Sequence, residues 1–320
     1  MTLAFDPVAT PPSEPSGRAR QPDASGIVER GGVRVAWERY GDGSPTILLL
    51  PTWSVFHSRH WKLQIPYLAR HFRVVTFDGR GNGRSDRPAE SAAYADTEFV
   101  ADAVAVLDAT DTPAAVAAGL SMGAGYAIRL AVEHPERVLG LALFGASVDV
   151  RDRIEAATRH DPASFDEPRE DTEGWAKYNA PYWRRDWPGF AAWFCSQIFS
   201  EPHSTKPIED GVGWFLETDP ETIIATERAP YLVPPAAWGP QRADQGSALP
   251  FVHRVRCPAL VVHGDDDHIS GVHIGRRLAE LLGATYVEVA GGGHAPIGRD
   301  PVLCNLALRD FVHSLDGPPR

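Results

Sequence analysis

The sequence predicts an α/β fold: a mostly parallel central sheet flanked by helices, with a helical segment inserted late in the sheet. Three observations predict it. Short, continuous apolar runs suited to strands buried on both faces recur along the chain, as at Thr46–Leu50 and Val138–Phe144. Between them lie segments with apolar residues at helical spacing, which implies parallel strands joined by right-handed crossovers. That rhythm stops between about residues 150 and 248 and resumes near Pro258. The expected division is a disordered N-terminal extension at 1–25, a core at 26–149 and 249–320, and an aromatic-rich helical cap at 150–248.

Each element has a local reason. Met1 to about Ser25 is rich in Pro, Ser, Ala and Gly, without the apolar run of a secretory signal or the Arg-rich pattern of a transit peptide. Ile27–Arg30 and Val33–Tyr40 alternate apolar and polar residues around Gly31-Gly32, which predicts a β-hairpin. Thr46–Leu50 is a buried strand, Trp61–His71 has the helical spacing of Leu63, Tyr67 and Leu68, and Arg73–Phe77 is a strand. Asp78–Pro88, with three glycines, is a loop, and Thr97–Thr110 is a helix. Ala114–Leu120 is a strand, a helix runs from Ala124 to about His134, and Val138–Phe144 is a strand. After the interruption come strand Ala259–Val262, helix Val272–Leu282, strand Thr285–Val289 and helix Pro301–Ser314. The interrupting segment holds six of the nine tryptophans (Trp175, Trp183, Trp187, Trp193, Trp214 and Trp238) and is too long for a loop within a compact core.

Composition narrows the function classes. The chain of 320 residues, 43% hydrophobic and 23% charged, can bury one large core. A net charge of −11 argues against nucleic acid, which demands a basic footprint. Cys195, Cys257 and Cys304 are far apart and not at metal-ligand spacing; the last two read as small core residues. A reducing compartment, the cytoplasm, is the simplest expectation. The sequence has no apolar run of about 18 residues, so no membrane span is expected.

The chemistry concentrates at Gly119-Leu120-Ser121-Met122-Gly123, a G-x-S-x-G pattern between a strand and a helix. The flanking glycines allow the sharp turn. Ser121 is thereby exposed at a helix N-terminus, where backbone N–H groups and the helix dipole favour negative charge. A nucleophilic serine needs a base, and the base needs an orienting acid. His294 lies on a glycine loop just past strand Thr285–Val289, at the sheet edge where ligands bind in open α/β sheets. Asp265, Asp266 and Asp267, after strand Ala259–Val262, bring carboxylates to the same edge, and physics alone leaves open which one serves.

With these residues the chain resembles the α/β-hydrolase superfamily from about Ile27 to the C-terminus. The order Ser…Asp…His matches that fold. The family's acid commonly lies in a G-x-x-D turn after the seventh strand; that turn maps onto Gly264–Asp267 and selects Asp267, with Asp149 after the sixth strand as the rival. Asp78–Ser85 is similar to the family's D-x-R-G-x-G-x-S loop, which is mainly structural. Where the family usually has His-Gly after the third strand, this chain has Pro51-Thr52-Trp53. Matching positions make the backbone N–H groups of Trp53 and Met122 the oxyanion donors. The lost glycine restricts φ at Thr52, whose hydroxyl becomes a candidate further donor. His57 and His60 read as packing or surface residues.

The resemblance implies a serine hydrolase using Ser121, His294 and Asp267 on a small apolar acyl substrate, most simply a carboxylic ester, with no metal or organic cofactor. Serine at the elbow argues against dehalogenases and epoxide hydrolases of this fold, which carry aspartate there. The alternatives are a carbon–carbon bond hydrolase, a cofactor-free perhydrolase, and a non-catalytic receptor for a hydrophobic ligand. Within the cap, Trp183 and Trp187 are the candidate substrate-facing rings.

Overall fold

A computed structural model describes residues 20–150, 165–231, 233 and 247–315. The predicted N-terminal extension falls largely outside these residues, as does Trp238. Eight strands form one sheet: β1 (Ala24–Arg30), β2 (Val33–Tyr40), β3 (Thr46–Leu49), β4 (Arg73–Phe77), β5 (Ala115–Leu120), β6 (Val138–Phe144), β7 (Ala259–Gly264) and β8 (Thr285–Val289). Their order is β1-β2-β4-β3-β5-β6-β7-β8. The two pairings of β2 are antiparallel and every other pairing is parallel. Ala24 and Ser25, assigned to the extension, instead open β1, because they pair with Arg39 and Glu38 of the hairpin partner.

The central parallel strands β3, β5 and β7 are buried along their whole length because helices cover both faces. In β3, Ile47 and Leu49 face one core while Leu48 faces the other; in β5, Val116, Ala118 and Leu120 oppose Ala115 and Ala117. The covering helices include α1 (Ile65–Leu68), α2 (Asp96–Ala109) and α3 (Met122–Glu133). Between β6 and β7 come α4 (Ala180–Arg185), α5 (Trp187–Ile198), α6 (Thr205–Phe215), α7 (Pro220–Glu227) and α8 (Leu249–Val252), followed by α9 (Val272–Leu282), α10 (Pro296–Arg299) and α11 (Pro301–Ser314).

The expected helix at Trp61–His71 is a correction. The chain makes a 3₁₀ turn at Ser58–Trp61 and the four-residue α1. Pro66 cannot donate to a preceding turn, and buried side chains set this path: the Trp61 indole donates to Leu50 O at 2.9 Å and the Gln64 amide to Ile297 O at 2.9 Å.

The topology decides where a site can form. From β3 the chain passes to β4 on one side and then to β5 on the other. This reversal opens a crevice beyond the C-terminal ends of β3 and β5, where open α/β sheets bind ligands. Pro51-Thr52-Trp53 leaves β3 there, and Ser121 leaves β5 there. The Asp78–Ser85 loop shapes the neighbouring corner. Asp78 accepts from Ser58 N and Arg84 N at 3.0 Å each, and the nearly inaccessible Arg80 makes a two-pronged ion pair with Asp102 at 2.6 and 2.8 Å.

Candidate active site

Ser121 sits between β5 and α3 with φ 56° and ψ −119°, a left-handed backbone that side-chain-bearing residues rarely adopt. The turn is feasible only because its neighbours are glycines. A Cβ on Gly119 would lie 2.2 Å from Gly123 O, and one on Gly123 would lie 2.5 Å from Pro51 O. Ser121 N donates to Phe144 O at 3.0 Å, tying the elbow to β6. The side chain is left half-buried on a cavity wall.

His294 Nε2 lies 2.8 Å from Ser121 Oγ, and its Nδ1 lies 2.9 Å from Asp267 Oδ2. Asp267 is almost wholly enclosed and receives further donors. Ile269 N and Ser270 N donate to Oδ1 at 2.7 and 2.8 Å. His263 Nε2 is 3.0 Å from Oδ2 and 2.7 Å from Ser270 O. Since a carbonyl can only accept, that nitrogen of His263 carries the proton. Burial pushes the Asp267 pKa up, but the His294 charge and the hydrogen bonds from His263 and His294 outweigh it and hold the carboxyl well below the ordinary carboxylate range. An ionised Asp267 requires a proton on Nδ1 of His294, which leaves Nε2 free to accept from Ser121. His263 was not singled out from the sequence; its signal was the i, i+4 spacing to Asp267.

The rival acid, Asp149, is buried, and its backbone carbonyl accepts from Ala248 N at 2.8 Å. The carboxyl at His294 belongs to Asp267. Asp265 and Asp266 are exposed. His57 and His60 are buried packing residues, His60 against the Trp61 ring at 4.8 Å.

The loop carrying His294 is held from the insertion. His294 N donates to Ile198 O at 2.9 Å, Gly293 N to Glu201 Oε1 at 2.7 Å, and Ser200 Oγ to Asp266 O at 3.1 Å.

The cavity encloses about 560 Å³ of empty space, counting its open mouth. Thr52, Trp53 and Met122 share its wall with Ser121 and His294. Among the described residues only Asp111 and Ser121 are non-glycines with positive φ, so Thr52 sits in the third-strand loop without strain. The Trp53 indole donates to Thr226 Oγ1 of α7 at 2.9 Å, fixing the ring beneath the insertion.

Trp183 and Trp187 are not among the residues that line the cavity. Trp183 is fully buried, packed on Phe190 at 4.7 Å, Tyr178 at 5.0 Å and Trp53 at 6.0 Å. Trp187 packs on Phe215 at 4.7 Å. Trp183 stands one layer behind the wall, against Trp53 and Tyr178, and Trp187 lies farther back, while the insertion rings that reach the wall are Tyr178 and Phe194. Sequence reasoning also missed Glu227, at the C-terminal end of α7, which places a carboxyl on this wall. No cluster able to hold a metal ion occurs among the described residues, and no helix there is long and apolar enough to cross a membrane.

Comparison with known proteins places this geometry. A family model described as the alpha/beta hydrolase fold matches residues 45–301. The protein "Putative carbamate hydrolase RutD" of Variovorax paradoxus is 35% identical over 312 residues, covering 88% of this chain and 97% of that protein. A 2-hydroxymuconate semialdehyde hydrolase of a Pseudomonas species is 35% identical over 147 residues, which is 43% of this chain but only 50% of that relative's length. Among solved structures, a bromoperoxidase from Bacillus anthracis superposes with a TM-score of 0.73 at 18% identity, covering 91% of this chain and 100% of the other.

Proposed function

The chain belongs to the alpha/beta hydrolase fold family, and from that premise we propose that it is a serine hydrolase cleaving small apolar esters through an acyl-enzyme. The observation that carries this reading is the unbroken relay from Asp267 through His294 to Ser121, at 2.9 and 2.8 Å. His294 Nε2 takes the Ser121 proton as Oγ attacks the ester carbonyl. The backbone N–H groups of Trp53 and Met122, flanking the nucleophile on the cavity wall, receive the oxyanion. Asp267 stabilises the imidazolium, which then protonates the departing alcohol. Water repeats the sequence on the acyl-enzyme, with His294 again as base, and releases the acid. Each proton that leaves Ser121 or water passes to a leaving group, so the chemistry needs neither metal nor organic cofactor.

The test is labelling by a fluorophosphonate together with turnover of p-nitrophenyl esters of graded acyl length. Ser121→Ala is expected to abolish the label and to lower kcat on the order of 10⁶-fold. A non-catalytic receptor on the same fold would give neither label nor turnover in the wild-type protein. Near wild-type turnover in Ser121→Ala would remove the serine from the mechanism.

A further inference from the structure

Glu227 has no part in the relay, yet its carboxyl lies on the wall of the same cavity. Three features make that placement unusual. It ends α7, where the helix dipole disfavours an anion. The described residues lining the cavity include no Lys or Arg to neutralise it. Its partner among the described residues is the buried Tyr178 hydroxyl, a neutral donor. The next residue, Arg228, forms an ion pair with Asp166. Burial accordingly pushes the Glu227 pKa up to about 7, with the Tyr178 hydrogen bond acting in the opposite sense. A second polar group on the wall points the same way: Ser147 is buried, and its hydroxyl has no hydrogen-bond partner among the described residues. Beyond Ser121, His294 and Thr52, a cavity wall that is apolar except for a carboxyl and an unpartnered hydroxyl suits a ligand that is itself polar at one further point.

We propose that Glu227 is the specificity-determining residue of this site, accepting a hydrogen bond from a protonated amine carried by an otherwise apolar ester substrate. The assignment rests on the serine hydrolase reading for the reaction but not for the binding. A carboxylate that loses water and gains no cation from the described residues gains most from a ligand that supplies both charge and donor. The ammonium then completes the pair that the protein leaves open, while Tyr178 holds the other side of the carboxyl. Groups packed around α7 do not compete for this role. Tyr178, Tyr231 and Tyr126 are all driven upward by burial and stay neutral, as does Tyr94. Arg184 of α4 pairs with Glu221, and Asp96 pairs with Arg129.

Two isosteric ester pairs test the proposal. 2-(Dimethylamino)ethyl butyrate against isopentyl butyrate places the ammonium in the alcohol; ethyl 4-(dimethylamino)butyrate against ethyl 5-methylhexanoate places it in the acyl group. Binding is measured by calorimetry in Ser121→Ala, with and without Glu227→Gln, so that no turnover is required. With Glu227 present, the ammonium ester of at least one pair is expected to bind about tenfold or more tightly than its isostere. That preference should grow from about pH 6 to about pH 8 as Glu227 ionises, and grow more steeply than in Glu227→Gln, which keeps every other charge of the cavity. With Glu227→Gln the ratio should fall to about one. A ratio of about one or less in both pairs with Glu227 present, or a ratio that survives Glu227→Gln, overturns the proposal. If Glu227→Gln does not fold, Glu227→Met, an apolar side chain of similar length, is read in the same way. Failure of fluorophosphonate labelling in the wild-type protein would instead count against the hydrolase reading alone.

Discussion

Glu227→Gln is expected to stabilise the fold, and to do so more strongly as the pH rises. In the folded protein, burial raises the Glu227 pKa from its ordinary 4.5 to about 7, whereas the unfolded chain releases the proton near the ordinary value. Between those two values the folded state holds a proton that the unfolded state has lost, so stability falls as pH rises through that window. At 1.36 kcal/mol per pH unit, the full window costs roughly 3 kcal/mol, an upper figure because the carboxyl keeps some exposure to the cavity. Glutamine has no proton to lose and escapes the cost. Urea unfolding of both proteins at about pH 5 and about pH 8 reads the effect directly, because every other titrating group cancels in the difference. The wild-type protein should lose roughly 2–3 kcal/mol relative to the variant over that range. Asp267 acts in the opposite sense, since its lowered pKa adds stability at neutral pH that is lost on acidification. A difference between wild type and Glu227→Gln that stays constant with pH would refute the account of Glu227 as a carboxyl deprived of both water and cation.

Two further substitutions separate roles within the site. Asp267→Asn should lower kcat by roughly 10⁴ by favouring the wrong imidazole tautomer, while Asp149→Asn should cost little; ester turnover by both variants would reveal a reversed ranking. In wild type, kcat/KM should rise up to a few-fold per added acyl methylene, at about 0.8 kcal/mol per buried CH₂, until the cavity is filled. Phe194→Ala, which removes a ring from the wall, should lengthen the preferred chain, and Trp183→Phe, one layer behind, should shift it less. A flat chain-length profile unchanged by either substitution would assign these aromatics to holding the insertion together.

The sheet and its flanking helices were legible because their signals are local. Strands buried on both faces are nearly continuous apolar runs ended by Gly, Pro or Asp, as in β6, and helices α9 and α11 begin and end where their apolar spacing does. Ser121 and His294 were legible for the same reason: each sits on a glycine turn at a strand end. Other features depend on contacts between distant segments. Nothing in the Trp183 and Trp187 neighbourhoods says which way a ring turns, and both turned into the insertion's own packing. A glutamate closing a short helix reads as a solvated end. Only the arrival of Tyr178 beside it and the closure of the cavity around it give Glu227 its character. The Trp61–His71 segment has helical spacing, but Pro66 and two side chains anchored to remote carbonyls outweighed it.

The hydrogen bonds from His294 N to Ile198 O and from Gly293 N to Glu201 mean that the imidazole paired with Ser121 is moored to the segment between β6 and β7, not to the sheet alone. In the proposed reaction, the segment that walls the cavity therefore also sets the position of the base. A displacement of the C-terminal end of α5 that admitted a bulkier ester would pull on the imidazole's own backbone. Grafting a foreign insertion to change selectivity would cut the tether unless residues 198–201 travelled with it. Under the proposed mechanism, breadth of substrate and speed of attack are thus mechanically yoked, and one is not tuned without retensioning the other.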